Sequence, residues 1–193
     1  MISDYRHELW GIETYIHTTA ELLRSQGHEV LIIGSGIRSL LWRRMGLMMT
    51  LCNIPEALRI AYIIKKEKPD LIWRHSISRY LGRLAVLATR WSPATQWMMF
   101  HDLWYVYPYP SQLTDIGQIP HFTLKNWMQL GTHQMSKIAI FWKYMGLKMI
   151  RISLWKGVDR YLVPSDCMIP IIERWWIPRN RITTLAHWVK AKE

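Results

Sequence analysis

Hydrophobic positions along the chain alternate between helical stripes and short unbroken runs. Ile12, Tyr15, Ile16, Ala20 and Leu23 recur at helical spacing and predict an amphipathic helix after a turn at Gly11. Glu13 falls in its first turn, where a negative charge suits the helix dipole. Gln26-Gly27-His28 predicts its end, with Gly27 in the left-handed exit position. Val30-Leu31-Ile32-Ile33 is continuously apolar, the pattern of a parallel strand covered on both faces. A second helix is predicted from a cap at Asn53 to about Glu67, with Pro55 in its first turn. Ala57, Ile60, Ala61 and Ile64 form its inward stripe, and Lys65, Lys66 and Lys68 lie at its end.

The alternation continues. A strand is predicted at Leu71-Ile72-Trp73-Arg74, a helix over 80–90 closed by Trp91-Ser92-Pro93, and a strand over 94–100. Residues 103–120 are rich in proline and tyrosine and predict an irregular segment. Residues 121–156 read as helical, with a break near Gly131 or Gly146. There, Trp, Met, Ile and Phe interleave with Lys and Arg. The default is a helix covering the sheet, and the alternative is a membrane-facing patch. Tyr161-Leu162-Val163 is a last short apolar run, ending at Pro164-Ser165.

Composition narrows the partners. In 193 residues, 25 Lys and Arg stand against 14 Asp and Glu, a formal net charge of +11. That favours anionic partners: phosphate-bearing ligands, nucleic acid or an acidic membrane surface. No RNA- or DNA-reading motif is present, so no nucleic acid is expected as partner. Twelve Trp beside so much Lys and Arg is a membrane-interface composition, unless the indoles are core. Residues 37–49, with Arg38, Arg43, Arg44 and Trp42, read as a membrane-surface segment or as a loop packed on its own domain. Cys52 and Cys167 form no motif and are expected to be reduced and buried. No signal peptide or long apolar run is visible, so the expected location is cytoplasmic, with the inner membrane face as a peripheral site.

Several motifs stand in order along the chain: Trp10-Gly11-Ile12-Glu13 followed by Gly27-His28-Glu29-Val30; Pro69-Asp70-Leu71-Ile72 followed by His75-Ser76; His101-Asp102 directly after a strand; and Asp159 through Ser165. Together they resemble the acceptor-side, N-terminal domain of GT-B glycosyltransferases of family 4, also called group 1. His187-Trp188-Val189 resembles the approach to that family's interdomain linker. The resemblance implies an α/β fold, a Rossmann-like parallel sheet with helices on both faces. Residues 1–193 are expected to form one incomplete domain, without the C-terminal domain that binds the nucleotide sugar. Glu13, Glu21 and Glu29 have the spacing of that domain's paired glutamates but lie on the first helix and its exit. Trp10 replaces the family's first glycine. The residues before it, MISDYRHEL, are too polar for a buried strand, so the first strand is expected to be missing. Its neighbours would then carry unpaired backbone groups, and this chain alone is expected to fold poorly and not to turn over sugar.

The resemblance also implies chemistry. A hexosyl unit would pass, with retention, from a nucleotide diphosphate sugar to a cell-envelope or lipid-linked acceptor, with neither metal nor cofactor. His101 would be the polar group at the reaction centre, titrating near neutrality. Asp102 would orient it or bind an acceptor hydroxyl, or simply form an Asp-turn. Gly11 and Glu13 would lie beside the donor diphosphate at the helix N-terminus. His75 and Ser76 would line the sheet's carboxyl edge, with packing as the alternative for His75. Ser165 would touch the donor phosphate or cap the next helix. The alternative function is a non-catalytic, membrane-docking subunit of a split glycosyltransferase, whose partner chain carries the C-terminal domain.

Overall fold

All strands of the sheet run the same way. The computed structural model describes residues 1–4, 11–34, 53–75, 77, 81–103, 123–131, 136–175 and 177–187. In chain order these form α1 (Gly11–Ser25), α2 (Ile54–Glu67), β1 (Leu71–Arg74), α3 (Gly82–Thr89), β2 (Thr95–Met99), α4 (Leu124–Gly131), α5 (Lys137–Gly157), β3 (Arg160–Val163), α6 (Ile169–Arg174) and β4 (Ile182–Thr184). The sheet order is β1-β2-β3-β4. Trp73 stands opposite Trp97, Met98 opposite Tyr161, and Leu162 opposite Thr183.

The place of the first strand is held by a single bridged residue beside the four-stranded sheet, which corrects the expectation that its neighbours are left unpaired. Ile2 bridges in parallel to both Ile33 and Arg74. Its amide donates to the Trp73 carbonyl at 2.8 Å, and its carbonyl accepts from the His75 amide at 2.9 Å. On the other side Ser3 N donates to Ile33 O at 3.0 Å, and Ile33 N donates to Met1 O at 2.8 Å. Three residues suffice because the neighbours' backbone groups need only this length of partner. Of the polar residues that argued against a strand, Asp4 has a definite place: its Oδ1 accepts from the Leu81 amide at 2.9 Å, at the start of α3. The segment at 30–33 is less covered than expected. Ile33 bridges and the Leu31 carbonyl accepts from the Met1 amino group at 2.7 Å, yet Leu31 is 51% exposed at this outer position. The chain thus steps from residues 1–3 outward to 33, then back across to β1. The sheet order reverses there, where open α/β sheets place their ligands.

Successive strand residues point to opposite faces. Ile72, Met98 and Tyr161 face one core, with Ile60, Ile64, Ile140, Ile150 and Trp175. Trp73, Met99 and Leu162 face the other, against Tyr15 and Ile16 of α1. Helices therefore cover both faces. Arg74 continues the Ile72 side and is completely buried. Its guanidinium donates to Thr89 Oγ1, Gln96 Oε1 and, at 3.4 Å, the Gly157 carbonyl. Burial lowers its pKa to about 10, against the opposing pull of Tyr161 and Asp159.

The helix ends follow their signals. Gly27 closes α1 at φ 88°, and Asn53 Oδ1 accepts from the Glu56 amide to open α2. The predicted break falls at Gly131, while α5 runs through Gly146 uninterrupted. Trp73, Trp127 and Trp175 are core, whereas Trp91, Trp142 and Trp155 are exposed. Cys167 is a free thiol, as expected, but it is exposed rather than buried. Cys52 and the segments 37–49 and 104–120 lie outside the described residues.

Candidate active site at the carboxyl edge

Three histidines meet beyond the carboxyl ends of the strands. His75 follows β1 directly. His101 follows β2 after Phe100, whose amide extends the pairing to Leu162 O at 2.9 Å. His187 comes after β4, beyond Leu185, whose amide donates to Val163 O at 2.8 Å. His75 Nδ1 lies 2.9 Å from His101 Nε2. His101 Nδ1 lies 3.0 Å from His187 Nε2. His75 and His101 stack with ring centroids 5.1 Å apart, and His101 and His187 lie tilted at 5.0 Å.

Strand periodicity sets this up. Trp73 and His75 share a face, as do Met99 and His101, and it is the face covered by α1. Tyr15 of α1 packs against all three rings, with centroids 4.5 Å from His187, 5.3 Å from His101 and 6.1 Å from His75. Trp73 stacks on His75 from the sheet side at 5.1 Å.

Burial decides the protonation. His75 is completely buried, and burial holds its pKa well below the usual imidazole range, helped by His101, the amino terminus and His187. His101 is lowered to about 3, first by burial and then by His187. Burial also lowers His187. The expectation that His101 titrates near neutrality is therefore corrected: its ring is neutral throughout the physiological range.

Neutrality constrains the tautomers. Each neutral imidazole has one N–H and one acceptor nitrogen. Two contacts in series force both protons to point the same way along the chain of rings. His75 Nε2 is buried with no partner among the described residues. Orphaned buried donors are rarer than under-satisfied acceptors. The arrangement that leaves a lone pair there has His75 Nδ1–H donating to His101 Nε2, and His101 Nδ1–H donating to His187 Nε2. In it His101 offers a hydrogen-bond donor, and its lone pair is already occupied.

The other predicted residues lie around this line. Gly11 is the first residue of α1 rather than a turn before it, and an added Cβ would meet nothing within 4 Å. Glu13 is buried in the first turn of α1. Asp102 is half-buried beside His101. His75 meets His101 rather than an open cleft. Ser165 is exposed at the end of β3, and its side chain makes no cap bond. Its hydroxyl instead lies 3.2 Å from Cys167 Sγ. Ser76 lies outside the described residues. Sequence reasoning missed Tyr15 and His187 as site members. Tyr15 read as an inward core position, and His187 read only as the approach to an interdomain linker. Among the described residues no group of three His, Cys, Asp or Glu side chains is arranged to hold a metal ion.

Residues 10–193 match the family described as Glycosyltransferase Family 4. The chain belongs to glycosyltransferase family 4. Its N-terminal-type domain carries glycosyl transfer as its general function. Neither a curated protein nor a solved structure matches it. In this family 4 domain no described helix is long and apolar enough to cross a membrane.

Proposed function

We propose that residues 1–193 form the acceptor-side half of a retaining transferase. It would move a hexosyl unit from a nucleotide diphosphate sugar to a hydroxyl of a cell-envelope or lipid-linked acceptor. Turnover requires a donor-binding half, supplied as a further domain or by a partner chain. The observation that supports the reading best is the line His75–His101–His187 at the carboxyl edge, where the sheet order reverses. A neutral His101 with its proton on Nδ1 is suited to donating a hydrogen bond to a sugar or acceptor oxygen. That oxygen would replace His187 Nε2. A ring whose pKa is lowered to about 3 is a poor base, so its role is orientation rather than proton removal. Asp102 and Ser165 are the adjacent polar groups for acceptor hydroxyl and donor phosphate. The open amino end of α1 at Gly11, with Glu13 in the same turn, is the diphosphate side. No cofactor enters this scheme.

The test is turnover with the donor-binding half present. His101→Ala, by removing a hydrogen-bond donor at the reacting oxygen, should lower kcat about 100-fold with little change in the affinity for free nucleotide. Turnover equal to that of the unaltered enzyme would remove His101 from the site. Measurable transfer by this chain alone would overturn the division into halves.

A further inference from the structure

A surface helix ordinarily turns a polar side to solvent; α5 turns out a mixture of large apolar side chains and lysines. Its inward side, with Ile140, Tyr144, Leu147, Ile150 and Leu154, packs into the core beside α3 and α4. Its outward side carries large apolar side chains as well. Ile138 is 72% exposed, Ile152 50%, Trp142 45% and Trp155 44%. Half-buried Met145 and Met149 lie between them, at the three- and four-residue steps that keep one stripe of a helix together. At 21 residues the stripe runs about 30 Å.

The charge on this helix has one sign. α5 carries Lys137, Lys143, Lys148, Arg151 and Lys156, and no acidic residue occurs anywhere from 116 to 158. Lys137 and Lys148 are exposed beside the stripe, and Lys156, about five turns on from Ile138, is exposed at its end. Past the helix end, the Arg181 guanidinium lies 5.8 Å from the Trp155 ring and prolongs the basic edge. A second copy of this face would set cation against cation. The cations also exclude a helix that crosses a bilayer. A long apolar stripe with indoles and flanking lysines fits a layer that is apolar below and anionic at its surface: indoles tolerate the half-wet boundary, and lysine stems reach from it to phosphate.

We infer that the outer face of α5 docks flat on an anionic lipid layer, with Ile138, Trp142, Ile152 and Trp155 at the headgroup–acyl boundary and Lys148 and Lys156 against the lipid phosphates. This extends the proposed lipid-side acceptor to a surface of the chain. It is tested without turnover, so its failure is separate from failure of the transferase reading.

The experiment is flotation of the full chain with vesicles of phosphatidylcholine, with and without phosphatidylglycerol. The unaltered chain should float with the anionic vesicles at low salt and be released by high salt. Trp142→Asp/Ile152→Asp and Lys148→Glu/Lys156→Glu should each weaken partitioning at least ten-fold, with far-ultraviolet circular dichroism unchanged. Hydrogen–deuterium exchange on the unaltered chain gives a readout that needs no variant: peptides over 137–157 should gain protection when anionic vesicles are added. Equal flotation with neutral vesicles, no flotation at low salt, or no protection over 137–157 would overturn the inference. So would a Trp142→Asp/Ile152→Asp variant that merely dissociates a dimer. Loss of flotation only in Arg43→Glu/Arg44→Glu would place the contact in the other basic segment and overturn it too.

Discussion

His101 Nδ1 lies 3.0 Å from His187 Nε2, although the two residues are 86 positions apart. The contact covers the one nitrogen of His101 that a ligand could otherwise meet. Its partner His187 is exposed and lies on the segment leaving the last strand, so it is the member of the line that can be displaced.

His187→Ala should therefore change His101 without disturbing the core. Removing the ring opens His101 to water and deletes the second cause of its lowered pKa, so that pKa should rise from about 3 towards the ordinary value. Long-range proton–nitrogen spectra of histidine-labelled chain would read both pKa and tautomer. An Nε2–H tautomer at His101 in the unaltered chain would contradict the assigned direction of the hydrogen bonds.

The same rings predict acid lability. A histidine whose folded pKa is depressed resists protonation in the native state while the unfolded chain takes protons up near 6.5. The unfolded state then binds more protons, so stability is full above about pH 6.5 and falls as pH drops below it. For His101 this window extends down to about 3. Urea midpoints should fall with pH over this range, and a His75→Asn/His101→Asn variant should show a shallower slope. A midpoint independent of pH from 7 to 5 would contradict the buried, neutral rings, because a tenfold difference in proton affinity between the folded and unfolded chain is worth roughly 1.4 kcal/mol.

Ile2→Ala tests the first strand. Ile2 is 2% exposed and lies between two bonded neighbours, Arg74 on one side and Ile33 on the other, so truncation should cost about 2–5 kcal/mol. Asp4→Ala should cost about 1–3 kcal/mol by leaving the Leu81 amide without its acceptor. Thermal melts of both variants check this. Unchanged melting temperatures would mean that the first residues contribute nothing to the sheet.

Arg74→Ala should be the most damaging single change in β1. It empties a large buried volume, removes the guanidinium donor to the Gly157 carbonyl, and leaves the Gln96 side-chain oxygen with Thr89 Oγ1 at 3.2 Å in place of a charged donor. A loss of about 3–5 kcal/mol is expected, with Arg74→Met losing less because it refills the space. Denaturant titration of the pair separates volume from hydrogen bonding.

The parts of the fold written in local chemistry were legible. Asn53, Gly27 and the stripe through Ile60 and Ile64 mark helix boundaries because caps and periodicity act over a few residues. His101 was legible as the polar residue at the end of an apolar strand. The rest depends on distant partners. Three residues around Ile2 are too few to show a strand period, and their polarity concealed a place that both neighbours define. Arg74 looked like a polar strand end, and only the folded chain brings Thr89 and Gln96 to it. His187 has no motif that announces its ring contact with His101. The exposure of Leu31 follows from which side of residues 1–3 the chain takes, and that is a property of the whole sheet.

Direction is the last consequence of α5. The helix ends at Gly157, near the start of β3, and Arg181, just before β4, bonds back to the Trp155 carbonyl. Its C-terminal end thus lies by the strands' starting ends, and it runs against them. With this helix flat on a lipid layer, the strands also run along the layer, and the histidine line looks sideways. An acceptor anchored in the lipid would come to His101 by diffusing in two dimensions, and its head would not have to leave the plane of the membrane.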